Sequence, residues 1–301
     1  MLKNGPIERG TPNLARIRQA LRHVVPRLGQ QLPAPSGRLW AGWRTYDSQR
    51  PTRSAQLMAR EIAAQYQLTV GTLVVTFRSD LDVPGRVELG PGNDFFVEVH
   101  SDLKTKPRQM AAVLAHEVAH VFLHHHRLRL PETLDDEVLT DTTALIYGFG
   151  GLMLDTYVVV ETVRQVGDMT QTTRHERKLG YLSPDEYGYL LQKRGMFDAF
   201  DALSGDAARG AYEDGTGRHL RDLGPPLQSA GLGQRLVYWM RGLWARWFKR
   251  HRDLDEDDDY AFARGKVTFR CPTCAQRLRL PVNKTVVAKC SRCKESHPCK
   301  T

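Results

Sequence analysis

The chain has 301 residues, enough for one sizeable domain and a smaller one, and its 41% hydrophobic content excludes a disordered polymer. No run of about 18 uninterrupted apolar residues occurs, so no spanning helix is expected. The net charge is +9 and uneven: residues 1–60 carry eleven Lys/Arg against two acidic residues, and residues 266–301 carry nine against one. Basic ends thus flank an acidic middle, a distribution that suits a phosphate-bearing partner such as nucleic acid or anionic lipid.

The first residues, Met1 to Pro6, are not followed by the apolar core of a signal peptide, so the cytoplasm is the expected compartment. Residues 1–50 mix Pro, Gly, Arg and scattered apolar positions, and read as a basic, loosely attached arm with one short helix near Leu14–Arg22. Ser54–Tyr66 reads as a helix, with Leu57, Met58, Glu61, Ile62 and Gln65 at three-and-four spacing. Three strands follow at 69–77, 86–89 and 95–100, rich in β-branched residues and separated by Pro84-Gly85 and Gly90-Pro91-Gly92-Asn93. Thr105 is the expected cap, and Pro107 the expected first turn, of a helix running to about His126.

A second helix is expected from Thr133, with Thr133 as its cap and Asp135 and Asp136 in its positive first turn. Gly148, Gly150 and Gly151 should bend it. Ser183 should cap another helix that fades near Gly195. Residues 201–233, with Gly, Asp and Pro225-Pro226, read as a linker. Gln234–Arg252 reads as a basic aromatic helix, with Leu236, Met240, Leu243, Trp244 and Trp247 on one face. That face suits either a peripheral membrane contact or packing against protein.

The long helix carries His116-Glu117-Val118-Ala119-His120, an H-E-x-x-H sequence in an almost wholly apolar run. Four residues apart on a helix, the two imidazoles project from one face and can share a metal ion. Glu117 beside them can take a proton from metal-bound water, and catalytic zinc prefers a third protein ligand with one open position. Two residues are candidates for that third ligand. Glu137 lies on the next helix, with Asp141 one turn later to accept a hydrogen bond from a ligand histidine. His126 lies ten residues after His116, but a return of the chain there needs a glycine where Leu123 stands. The reading therefore favours Glu137, with His126 as the alternative.

H-E-x-x-H followed by Glu137-Val138-Leu139-Thr140-Asp141 resembles the gluzincin branch of zinc peptidases, CAAX-processing and HtpX-like peptidases among them. The run His116–His125 looks more like the IrrE/ImmA-type metallopeptidases. The resemblance covers roughly residues 54–165. It implies His116, His120 and Glu137 as ligands, Glu117 as base, and a protein or peptide substrate. Thr140 departs from the Ala common at that position, and the membrane helices of the HtpX-like group are missing. The 95–100 strand is expected to pair with an extended substrate, and Tyr147, Tyr157 and His175 are candidates to stabilise an oxyanion.

Cys271-Pro272-Thr273-Cys274 and Cys290-Ser291-Arg292-Cys293 have zinc-ribbon spacing. Four thiolates would close a tetrahedral site with no room for water, so this zinc would be structural. His297 and Cys299 are expected to be spare. The sequence thus predicts an α+β protein with two zinc ions, one catalytic and one structural. Its parts are a basic arm (1–50), a zincin-like metallopeptidase domain of small mixed sheet, active-site helix and ligand helix (51–200), a linker with the basic aromatic helix and acidic run (201–265), and a zinc ribbon (266–301). The expected activity is zinc-dependent endopeptidase cleavage, with arm and ribbon recruiting a partner such as nucleic acid. One rival is a SprT-like protease of DNA-bound proteins; those enzymes use a third histidine, so a Glu137 ligand counts against it. The other is a non-catalytic nucleic-acid-binding regulator, which would not need Glu117.

Overall fold

Seven apolar residues spaced three and four apart draw the first helix, α1 (Leu14–Leu28), into the interior: Leu14, Ile17, Ala20, Leu21, Val24, Val25 and Leu28 are all buried. Burying each large aliphatic side chain contributes roughly 1.5–3 kcal/mol against the entropy of ordering it. In the computed structural model, which describes residues 10–28, 32–33, 40–166, 169–196, 198–248, 252–255 and 258–301, this helix packs on α4 (Thr133–Ala144). Arg16 pairs with Asp135 at 2.7 Å, and Gly10 N–H donates to Asp185. The segment expected as a loose arm is therefore anchored where it is described.

Next comes α2 (Pro51–Gln65), whose buried stripe is Ala55, Met58, Ala59, Ile62 and Ala63; Leu57, expected inside, is exposed. Three strands form one small mixed sheet: β1 (Thr72–Arg78), β2 (Gly85–Glu88) and β3 (Asp94–His100). In space β3 is central, parallel to β1 and antiparallel to β2. Phe95, Val97 and Val99 alternate into the core. The strand expected to offer a free edge is thus paired on both sides, and β1 and β2 are the edges, with β2 on the side of the α3 motif.

The sheet lies against α3 (Pro107–His125), which is buried almost throughout. Lys106 precedes it with no side-chain cap, and Pro107 occupies the first turn, so Thr105 is not the cap. Likewise Glu132, not Thr133, precedes α4, which carries Asp135 and Asp136 in its first turn. At φ 97°, Gly148 breaks the path from α4 into α5 (Gly150–Asp155). A hairpin, β4 (Val158–Val166) with β5 (Met169–Arg177), comes next. α6 (Pro184–Lys193) opens with the Ser183–Glu186 capping box.

The stretch expected as a linker holds α7 (Ala199–Ala202) and the 17-residue α8 (Asp206–Asp222), which packs on α6. Small residues make that contact: a Cβ at Gly215 would lie 2.2 Å from Tyr189 N, and one at Gly188 would lie 2.5 Å from Ala211 O. α9 (Leu232–Trp247) is the basic aromatic helix; Lys249 and Arg250 lie outside the described residues. The C-terminal module has a three-stranded sheet, β6 (Tyr260–Ala263), β7 (Lys266–Arg270) and β8 (Arg277–Pro281), and a hairpin, β9 (Thr285–Lys289) with β10 (Ser296–Lys300). No helix among the described residues is long and apolar enough to cross a membrane.

Candidate metal centres

In the buried middle of α3, His116, Glu117 and His120 are brought to the floor of one cleft. His116 Nε2, His120 Nε2 and Glu137 Oε2 form a near-equilateral triangle with edges of 3.1, 3.2 and 3.2 Å. Tautomers follow from the other ring nitrogens. His116 Nδ1 donates to Asp141 Oδ1 at 2.8 Å. Thr140 Oγ1 donates its own proton to Asp136 O at 2.8 Å and so accepts from His120 Nδ1 at 3.1 Å. Both Nε2 atoms then present lone pairs, as does Glu137. Three lone pairs converging in this way repel one another unless a positive charge, a proton or a metal ion, is shared among them. A tetrahedral ion with bonds of about 2.0–2.1 Å has ligand edges of about 3.3–3.4 Å, close to those found here. The residues present therefore suit a divalent ion.

The surroundings favour positive charge in that triangle. Burial opposes a charge on His116, but Asp141 and Glu137 overcome it and hold the imidazole pKa well above its ordinary value. Burial also opposes ionisation of Glu137, yet His116 and His120 hold its carboxyl well below the usual range. Asp141, with no exposed surface, accepts from Tyr181 N–H at 2.6 Å and Leu182 N–H at 3.0 Å as well as from His116. Gly180 makes this turn possible: its φ is 84°, and a Cβ there would lie 2.4 Å from the Tyr187 hydroxyl and 2.7 Å from Asp141 Oδ2.

A cleft of about 330 Å³ opens over the triangle, lined by Gly85, Arg86, Glu117, Arg129 and Tyr181 besides the three ligand candidates. Burial raises the Glu117 pKa, partly offset by His116 and His120, which makes it a stronger base than an exposed carboxylate. Gly85 lets β2 approach; a Cβ there would meet Val113 at 2.4 Å and Glu117 Oε1 at 3.3 Å. The Tyr181 ring stacks on His116, with centroids 6.1 Å apart, and burial raises its phenol pKa, so it is a proton donor at neutral pH.

His126 is not brought to this place. It follows the end of α3, with its ring on Phe122 at 4.4 Å between centroids. Ten residues at about 100° each carry it roughly 80° around the helix from His116. His124 ties down the loop through Gly90 O at 3.1 Å. Tyr147 is buried against Tyr66 and Phe122, and Tyr157 pairs with Glu176 at 3.2 Å, so neither lines the cleft. The side chain of His175 lies outside those described. Sequence reasoning missed Tyr181 and Gly180; Gly180 between Leu179 and Tyr181 was the available signal.

Ligand atoms of Cys271, Cys274, Cys290 and Cys293 lie within 4.8 Å of one another, and all four cysteines are free thiols. Two matching turns bring them together. Cys271 N–H donates to Gln276 O and Ala275 N–H to Cys271 O, while Cys290 N–H donates to Glu295 O and Lys294 N–H to Cys290 O. Ala275 and Lys294 both adopt positive φ, 56° and 65°. Sulfur separations of 3.5 and 3.6 Å approach the edge of about 3.8 Å around an ion with bonds of about 2.3 Å. The four-cysteine cluster can thus form a zinc site.

Arg194, 2% exposed, sits near this cluster: burial lowers its pKa while Cys274, Cys293 and Cys271 raise it. His297 and Cys299 stand outside the group of four ligand atoms, and each has a structural place. His297 Nε2 lies 3.2 Å from Cys271 Sγ, and Cys299 is buried and bridged to Leu227. In comparisons with known proteins, no family model, no curated protein and no solved structure matches the chain.

Proposed function

We propose that this chain is a zinc-dependent endopeptidase of the gluzincin kind, with a zincin-like core and a C-terminal zinc ribbon. The observation that carries the reading is the triangle of His116 Nε2, His120 Nε2 and Glu137 Oε2, with Glu117 beside it in an open cleft. A zinc ion held there would act as a Lewis acid toward water and the scissile carbonyl. Glu117 takes the proton released as water adds to the carbonyl carbon, then delivers it to the amine as the C–N bond breaks. Asp141 and Thr140 hold the two imidazoles in the tautomers that leave Nε2 free. Tyr181 donates its hydroxyl proton toward the oxygen on which negative charge develops. The open edge of β2 pairs with an extended peptide, which orders the substrate across the cleft.

Recruitment of a nucleic-acid-bound substrate is supported by convergence of charge. Arg18 and Arg22 of α1, together with Lys193, Arg221, Arg241 and, from the ribbon, Arg270, line a single cleft and outnumber its Asp222 and Asp259, although the ends of the chain are far apart in sequence. Cleavage of a denatured protein by wild type and by Glu117→Gln tests the activity. The variant should lose at least about a hundredfold in rate while keeping its metal. Equal rates would contradict the reading.

A further inference from the structure

The apolar sector of α9 faces away from the protein that carries it. Tyr238 is buried on Tyr260 and Phe262, with ring centroids 4.9 and 5.1 Å away, and a Cβ at Gly242 would lie 3.3 Å from Phe262. This narrow stripe seats the helix on the ribbon's first sheet. Of the face read as suited either to a membrane or to protein, Leu236, Met240, Trp244 and Trp247 are left outside and Leu243 is half-buried.

At 100° per residue, the outward positions from Trp239 round to Val237 cover about 160° of the helix, and every one is apolar or glycine. Leu232, Leu236, Trp239, Met240, Trp244 and Trp247 are its large exposed members, with Trp247 at 80%, Trp244 at 63% and Trp239 at 60% exposure. An outward apolar surface running four turns is far more than scattered surface hydrophobics produce.

Charge identifies what covers it. The helix has no acidic residue, and its three arginines stand at the margins of the apolar sector, Arg235 and Arg246 on one side and Arg241 on the other. The sequence continues Phe248-Lys249-Arg250-His251-Arg252 before the acidic run 253–259, in which Asp255 pairs with Arg252 at 2.7 Å. Exposed aromatic rings thus have guanidinium groups along both flanks. That arrangement matches a planar medium, apolar beneath and anionic at its surface. It is too short and too one-sided to span one.

We infer that α9 lies in the interface of an anionic lipid bilayer, rings in the acyl boundary and arginines at the phosphate level, and so holds the protein peripherally on a membrane. This is independent of the catalytic reading.

Full-length protein cosedimented with phosphatidylcholine vesicles, with and without phosphatidylglycerol, tests it. Wild type should bind the anionic vesicles, with its tryptophan emission shifted to the blue, and bind neutral ones less. Trp239→Ser/Trp244→Ser/Trp247→Ser should weaken binding at least about tenfold. Arg241→Gln/Arg246→Gln should weaken binding to anionic vesicles by about fivefold for each charge removed, with little change on neutral ones. All five side chains are exposed, so circular dichroism should confirm an unchanged fold. Absence of binding to anionic vesicles, or equal binding by the triple variant, would overturn the inference. So would tryptophan-dependent self-association without vesicle binding, which would assign the face to a second copy.

Discussion

The two candidate metal centres differ in what encloses them. Around Cys271, Cys274, Cys290 and Cys293, sulfur closes the site on four sides. Around His116, His120 and Glu137, three lone pairs converge from two helices and the fourth side is a cleft. Four soft ligands on two short turns supplement a small set of buried apolar residues, whereas two imidazoles and a carboxylate in a large core leave room for chemistry. Fold stability should therefore depend mainly on the first centre and activity on the second.

The largest expected effect comes from breaking the closed centre. Cys274→Ala should unfold the C-terminal module, because without the ion only a few buried apolar residues, Val267, Phe269, Leu278 and Ala288, hold its strands. Amide exchange should show β7 to β10 unprotected while α3 and β3 stay protected. Full protection in the variant would mean that packing alone holds the ribbon.

Smaller, and confined to the open centre, is Asp141→Asn. The carboxylate accepts from one histidine and two backbone N–H groups, and the amide cannot satisfy all three. Metal affinity there should fall about 10–100-fold by competition with a chelator, with the ribbon ion unaffected.

The seam between the regions has its own signature. Burial, with Lys193 nearby, lowers the His219 pKa to about 4, against about 6.5 in an unfolded chain. Above pH 6.5 both states are neutral and the residue contributes nothing to pH dependence. As pH falls from 6.5 toward 4 the unfolded chain gains a proton that the folded one refuses, so stability drops, by about 2 kcal/mol after discounting the ring's partial exposure. Chemical denaturation across that range should show the drop in wild type, and His219→Gln should flatten it.

The sequence made the motif helix and the three strands legible because each has strong local character: an uninterrupted apolar run, or β-branched alternation between Pro/Gly turns. It also placed Glu137 and Asp141 one turn apart on the following helix, where the structure has them. Other features depend on distant partners. α8 reads as a linker because Gly210, Gly215 and Gly217 look like chain breaks, yet Gly215 is small because Tyr189 and Gly188 press against it. α1 carries a full buried stripe, but its arginines and Pro26 disguise it until Asp135 and Asp222 supply the counter-charges. Tyr181 reaches the cleft only because Gly180 turns the chain over Asp141, a closure spanning forty residues.

The most direct test of the two-centre description is to count metal. Purified wild-type protein should carry two zinc ions per chain by mass spectrometry, Glu137→Ala should retain only the ribbon's, and His126→Ala should retain both. Wild-type protein holding a single ion, or loss of the second ion in His126→Ala but not in Glu137→Ala, would contradict the open centre as described.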